Sequence, residues 1–210
     1  MRILNLYAGI GGNRKLWGDE HEVTAVEYDP DIAKIYQDHF PKDTMIVGDA
    51  HQYLLDHYSE FDFIWSSPPC PTHSKMMLTN HLNPYKDNSK QIAHGGGKKL
   101  QYPEMELYQE IILLDTYFRG YYAVENVIGY YEPLIVPQKV GKHYIWANFP
   151  IEQKDFGDRG HHSKVAGLEE RKGFDLSIYK GIDKRKILRN CTEPELGEYI
   201  FSLLPNPNHL

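Results

Sequence analysis

Two stretches of this sequence combine a reactive group with a backbone suited to aiming it. In Ser66-Ser67-Pro68-Pro69-Cys70-Pro71 the prolines on both sides of a thiol stiffen the chain and fix where the sulfur points, as a nucleophile requires. A cysteine is more often a small buried apolar residue, but a Pro-Pro-Cys-Pro turn after an apolar run makes that reading less attractive. A free thiol is only a few per cent ionised near neutrality, so Cys70 needs a helix N-terminus or nearby cations to act. Glu125-Asn126-Val127 supplies a carboxyl that could exchange a proton near neutrality if partly desolvated. Lys142-His143 adds cationic character further on.

A second constellation binds rather than reacts. Gly9-Ile10-Gly11-Gly12 follows the first apolar run, where glycines permit a tight turn and close approach to a ligand at a helix N-terminus. A plain turn explains such a cluster equally well. Its weight grows because Glu27 ends the next apolar run, where a carboxylate can accept from a ribose diol, and Asp49 follows the third, in Val47-Gly48-Asp49. Together they point to an adenosine-containing ligand. No GxxxxGK[ST] loop is present, which disfavours nucleoside triphosphate hydrolysis and leaves a nicotinamide cofactor or S-adenosylmethionine.

These groups need a scaffold that brings strand ends together. Arg2 to Tyr7, Val23 to Glu27, Thr44 to Val47 and Phe61 to Trp65 read as strands. Between them lie a short helical stretch through Leu16 and Trp17, a helix opened by Pro30, and one from His51 to Tyr58. Strands alternating with helices imply a parallel, doubly wound sheet. Glu104 to Phe118 reads as an amphipathic helix, Tyr121 to Val124 as a fifth strand, Tyr144 to Ala147 as another, and Leu196 to Leu204 as a closing helix. From Ser66 to Pro103 the pattern stops, with Gly95-Gly96-Gly97-Lys98-Lys99 near its end; residues 150–186 are polar and give no clear assignment.

The chain has 210 residues, 41% hydrophobic and 25% charged, enough to bury one substantial core and too short for a second large catalytic domain. No run approaches the roughly 18 apolar residues of a membrane span, and no signal peptide is evident, so the expectation is a cytoplasmic protein without membrane contact. Two cysteines are too few for a disulfide framework, and the Asn190-Cys191-Thr192 glycosylation pattern reads as chance. The net charge of −6 is unevenly spread: residues 1–138 carry −8, residues 139–189 carry +5 and residues 190–210 carry −3. The late positive charge could face a polyanion or simply water.

These motifs resemble the cytosine-5 DNA methyltransferase family, in family order and over most of the chain. Leu6-Tyr7-Ala8-Gly9-Ile10-Gly11-Gly12 is similar to its first cofactor motif, with Tyr7 where Phe is common; Pro68-Pro69-Cys70 is similar to its nucleophile motif and Glu125-Asn126-Val127 to its base-binding motif. The resemblance implies a Rossmann-like, doubly wound α/β fold that binds S-adenosylmethionine. Tyr7, Ala8, Gly9, Gly11, Gly12, Glu27, Tyr28, Asp49, Ala50, Pro68 and Asn190 would form the cofactor site, and Cys70, Glu125 and Lys142 the catalytic set. Lys142 falls at the second arginine of the family's Gln-x-Arg-x-Arg segment and Val140 at the first, while Arg189 stands where Gly is usual. Residues 1–147 would be the catalytic and cofactor-binding domain, 148–187 a very short target-recognition region, and 188–210 a segment returning to the catalytic domain. Such small size is similar to phage- or prophage-encoded members.

The implied reaction methylates carbon 5 of cytosine in duplex DNA, on a base flipped out of the stack, through a covalent Cys70 adduct, with residues 72–99 as a lid. The protein is expected to act as a monomer. An RNA cytosine-5 methyltransferase of the same fold and a catalytically silent cofactor- or DNA-binding module are the alternatives. A nicotinamide dehydrogenase is more remote, since it gives Cys70 and Glu125 no joint role.

Overall fold

The structure, a computed structural model, describes residues 1–70, 72–74, 103–157 and 164–205. The greater part of the expected lid, including Lys98 and Lys99, lies outside the described residues. Seven strands form one sheet: β1 (Arg2–Leu6), β2 (Glu22–Glu27), β3 (Thr44–Val47), β4 (Phe63–Ser66), β5 (Tyr121–Val127), β6 (Gln138–Val140) and β7 (His143–Ala147), in the order β3-β2-β1-β4-β5-β7-β6. The first five are mutually parallel. The expectation of a parallel sheet holds to that point and then needs correction, because β7 runs antiparallel to both β5 and β6. The reversal is made by Gly141-Lys142, a two-residue hairpin turn with glycine first, which no helix-length segment could replace. Strand β6 has only three residues, too few for a period to be read.

The central strands are buried on both faces, which explains their continuous apolar runs. Leu4, Leu6, Ile64, Tyr122 and Val124 point to one face, covered by α2 (Ala50–His57) and α3 (Glu106–Tyr117) through Leu54, Leu107, Ile111 and Leu114. Ile3, Phe63, Trp65, Ala123 and Ile145 point to the other, where Trp17 meets Leu196 and Ile200 of α6 (Pro194–Ser202). Each large apolar side chain fully buried here contributes about 1.5–3 kcal/mol. Helix α1 (Pro30–His39) starts where Asp29 accepts from the backbone amides of Asp31 and Ile32, and α2 where Asp49 accepts from that of Gln52.

The stretch resistant to sequence assignment contains α4 (Val165–Lys172), and α5 (Lys184–Asn190) closes it. Leu168, Phe174, Leu176, Ile187 and Leu188 pack with Ile10 of the glycine turn and Ile35 of α1, so the described part of this short region sits against the first turn of the chain. The C-terminal segment closes even more tightly. A Cβ on Gly12 would lie 2.1 Å from the Thr192 carbonyl, and one on Gly197 would lie 2.2 Å from that of Asn13.

One buried ion pair fixes the turn after the glycines. Arg14 donates twice to Asp43, at 2.9 and 3.1 Å, and the Tyr36 hydroxyl donates to the same carboxylate at 2.8 Å. Both charged side chains are almost fully enclosed. Breaking such a pair from one side strands the other charge, at a cost of about 3–5 kcal/mol. Asp43→Asn is therefore expected to lower unfolding stability by about that amount in a denaturant titration, with the slope of the transition unchanged.

Candidate active site

The parallel strands deliver their carboxyl ends to one edge, and the expected residues gather there. Leu6 is in register with Val26 on one side and Ser66 on the other, and Ser66 with Val124. The segments that follow Leu6, Glu27, Ser66 and Val127 thus leave the sheet along one edge, with Glu125 two residues before the end of β5.

Cys70 is held by its backbone. The Asn126 side-chain amide donates to the Pro68 carbonyl at 3.1 Å, and the amides of His73 and Ser74 both donate to the Cys70 carbonyl at 3.0 Å. Ser74 also forms a short bridge to Gly129, beyond β5. The His73 ring is buried, with Nδ1 2.6 Å from the Tyr131 hydroxyl. The thiol is half-buried beside Glu125. Burial first, and the Glu125 carboxylate second, push its pKa above the ordinary cysteine range. The expected cationic help for Cys70 is not seen among the described residues.

Glu125 is buried on β5, with its Oε1 3.7 Å from Nε2 of His143. The strand register explains the partner: Val127 pairs with His143 and Glu125 with Ile145, so Glu125 and His143 share a face of the sheet. Lys142, the expected catalytic cation, lies in the hairpin turn one residue earlier and is exposed. The basic side chain that faces Glu125 is therefore the imidazole of His143.

The cofactor residues divide by role. Glu27 ends β2 partly exposed, its two oxygens accepting from the amides of Gly9 at 2.9 Å and Asp29 at 3.0 Å. A carboxylate has roughly four lone-pair sites, so capacity for a diol remains. Asp49 is exposed at the start of α2. Tyr28, 79% exposed, follows Glu27 and offers an aromatic face. Among the described residues nothing lies within 4 Å of a Cβ built on Gly9, which opens onto the sheet edge. Ala8, Gly11, Gly12, Ala50 and Pro68 are buried and shape the walls. Asn190 is exposed at the end of α5, while the Cys191-Thr192 segment after it backs Gly12. A partly exposed carboxylate, an exposed acid, a glycine opening and an aromatic face suit an adenosine group.

Tyr7 departs from expectation. Its φ of 53° is the left-handed region, costing a residue with a Cβ about 1–2 kcal/mol. Its hydroxyl donates at 2.6 Å to Glu110, a carboxylate fully enclosed on α3 that also accepts from Ser66 at 2.7 Å and lies 3.1 Å from His51 Nδ1. Sequence reasoning missed Glu110, His51 and His143. A signal for Glu110 existed: it interrupts the apolar stripe of Leu107, Ile111 and Leu114 on one helix face. Among the described residues no cluster of His, Cys, Asp and Glu could hold a metal ion, and no helix is long and apolar enough to cross a membrane.

Solved structures similar to this chain include a mutant DNMT2 from Spodoptera frugiperda, at 21% identity over 87% of this chain and 60% of that one, with a TM-score of 0.45. The putative methyltransferase yhhF from Escherichia coli is similar at 12% identity over 70% and 73% of the two chains, with a TM-score of 0.41. A putative DNA modification methyltransferase encoded within an E. coli prophage shares 18% identity over 63% of this chain and 33% of that one, with a TM-score of 0.38. No curated protein matches. Residues 1–88, which carry the glycine turn, Glu27, Asp49 and Cys70, match the family model of C-5 cytosine-specific DNA methylases, whose cofactor is S-adenosylmethionine.

Proposed function

We propose that the protein methylates carbon 5 of cytosine in duplex DNA, with Cys70 as covalent nucleophile and Glu125 as the group that holds the base. The observation that supports this reading best is the meeting of Cys70 and Glu125 at adjacent strand ends, beside the glycine turn and Glu27. A silent binding module would not need a thiol on a doubly pinned backbone facing a carboxyl.

S-adenosylmethionine, when bound, supplies an electrophilic methyl group. Glu27, Asp49 and the opening at Gly9 would hold and orient it, with the exposed ring of Tyr28 available to its base. A cytosine in a stacked duplex is unreachable, so the base is flipped out at a cost of a few kcal/mol. Cys70, once ionised, forms a bond from its sulfur to carbon 6, and the ring electrons shift toward carbon 5. Glu125, with His143 beside it, holds a proton at the ring's N3 edge and stabilises the charge that develops. Carbon 5 would take the methyl group as its bond to the sulfonium sulfur breaks and S-adenosylhomocysteine leaves. The carbon-5 proton would then pass to water, and the electron pair of that C–H bond would re-form the 5,6 double bond and expel Cys70 as thiolate.

Charge supports a polyanionic substrate. Lys164, Lys180, Arg185, Lys186 and Arg189 are exposed along the short region, whereas Arg171 and Lys172 turn inward onto Glu193. The basic face is thus smaller than the net +5 of residues 139–189 suggests.

Incubation with labelled S-adenosylmethionine should place 5-methylcytosine in duplex DNA and not in tRNA. Cys70→Ala should abolish transfer while leaving cofactor affinity within a few-fold; equal turnover by mutant and parent sinks the covalent mechanism. The thiol's environment gives a second expectation. Iodoacetamide should label Cys70 with a pH midpoint above that of an ordinary cysteine, and Glu125→Gln should move that midpoint down by removing the neighbouring charge. A midpoint insensitive to Glu125 would separate the two groups. For the DNA face, few phosphate contacts predict a log–log salt slope of about −3 to −5. Changing Lys184, Arg185 and Lys186 to Glu should weaken duplex binding and flatten that slope without altering cofactor affinity.

A further inference from the structure

The network around Glu110 lies behind the cofactor crevice, and none of the steps above uses it. Its carboxylate is fully enclosed, on a helix face that is otherwise apolar. A buried carboxyl is tolerated only when its oxygens are occupied, and here two hydroxyls and an imidazole converge on them. The three partners come from different elements. Tyr7 is the first residue after β1 and carries the left-handed backbone that starts the glycine turn. Ser66 ends β4 and precedes the Cys70 segment. His51 lies in the first turn of α2, two residues after Asp49.

From this convergence we infer that Glu110 is a positioning residue for the cofactor crevice, one carboxylate that ties the glycine turn, the nucleophile strand and the adenine-side helix to α3. The inference rests on the reading of this edge as an S-adenosylmethionine site. Without the Tyr7 hydroxyl bond, the strained backbone at Tyr7 loses the contact that holds its ring on the α3 side, and relaxation there would carry Gly9 and its bond to Glu27 away.

His51 adds a pH dependence. The charged and titratable groups around it are Glu110 from α3, Glu106 one turn earlier on that helix, and Asp49 at the start of its own; Tyr7 lies across Glu110. The hydrogen bond to Glu110 raises the His51 pKa more than burial lowers it. The imidazolium's contribution is therefore complete below the ordinary histidine range and fades as pH rises through the raised value.

The test compares Tyr7→Phe, Glu110→Gln and His51→Gln with Tyr122→Phe in the full chain. Tyr122 makes a comparable bond from its hydroxyl to Asp115, on the same helix but away from the crevice, at 3.1 Å. Calorimetry with S-adenosylmethionine should show affinity weakened about tenfold in Tyr7→Phe and Glu110→Gln, as expected for losing a charge-assisted bond, and unchanged in Tyr122→Phe. Amide hydrogen exchange without ligand should be faster at residues 7–12 in the first two variants only. From about pH 6 to about pH 9 the parent's affinity should fall more steeply than that of His51→Gln. If Tyr7→Phe and Glu110→Gln lower the melting temperature as Tyr122→Phe does, while affinity stays within twofold and exchange at 7–12 is unmoved, Glu110 is only structural. A parent that binds no S-adenosylmethionine overturns the cofactor reading instead, and the exchange data still decide the clamp.

Discussion

Because β2, β1, β4 and β5 run the same way and stay in register, their carboxyl ends arrive at one edge. Neighbouring strands are about 4.8 Å apart, so four of them bring groups widely separated in sequence within about 15 Å. Glu27, the glycine turn, Cys70 and Glu125 occupy that row in that order, the first two proposed for the cofactor and the last two for the reacting base. Glu27 and Glu125 stand in the last residues of β2 and β5, while the glycine turn and Cys70 lie just beyond β1 and β4, where the backbone leaves the ladder and can turn toward a ligand. The antiparallel β7 breaks the direction only after the row is complete, and the break itself brings His143 to Glu125.

Two buried carboxylates brace this edge from behind. Asp43 holds Arg14 just past the glycine turn, and Glu110 holds Tyr7 at its start. Apolar residues of equal volume can be just as stabilising as a buried polar network. What hydrogen bonds add is direction, since a carboxylate oxygen accepts along a few lines and a methyl group does not. The turn between β1 and the 3₁₀ helix Asn13–Leu16 is therefore fixed at both ends by bonds with preferred angles.

Most of the scaffold was legible because it follows the two periods that side chains impose. The strand Thr44–Val47 was read residue for residue, and the helices opened by Pro30 and Glu106 within two residues of their starts. Glu27, Asp49, Cys70 and Glu125 could be singled out because they fall at or just past the carboxyl ends of readable strands, and the structure places them at that edge. The remainder depended on features with no local signature. Strand β6 is shorter than two periods. That His143 and not Lys142 shares a face with Glu125 turns on one residue, since a single step out of a tight turn decides which side chain lies there. Glu110, His51 and Tyr7 are drawn together from three elements that only the folded chain brings into contact. The helices α4 and α5 have a polar composition, and their apolar positions pack on Ile10 and Ile35, which lie far away in sequence.

The close approach of α6 to the turn after the glycines bears on how the chain can be made. The indole of Trp17 donates to the carbonyl of Gly197, a contact spanning 180 residues, and the backbone of Asn13 lies where a larger side chain at 197 would sit. During synthesis at about 5–20 residues per second, the 13–17 segment emerges many seconds before its partner exists. The N-terminal strands can pair early, but Trp17 and the buried edge of the glycine turn must wait in contact with solvent or a chaperone. The packing behind the glycine turn is thus completed only when α6 has left the ribosome.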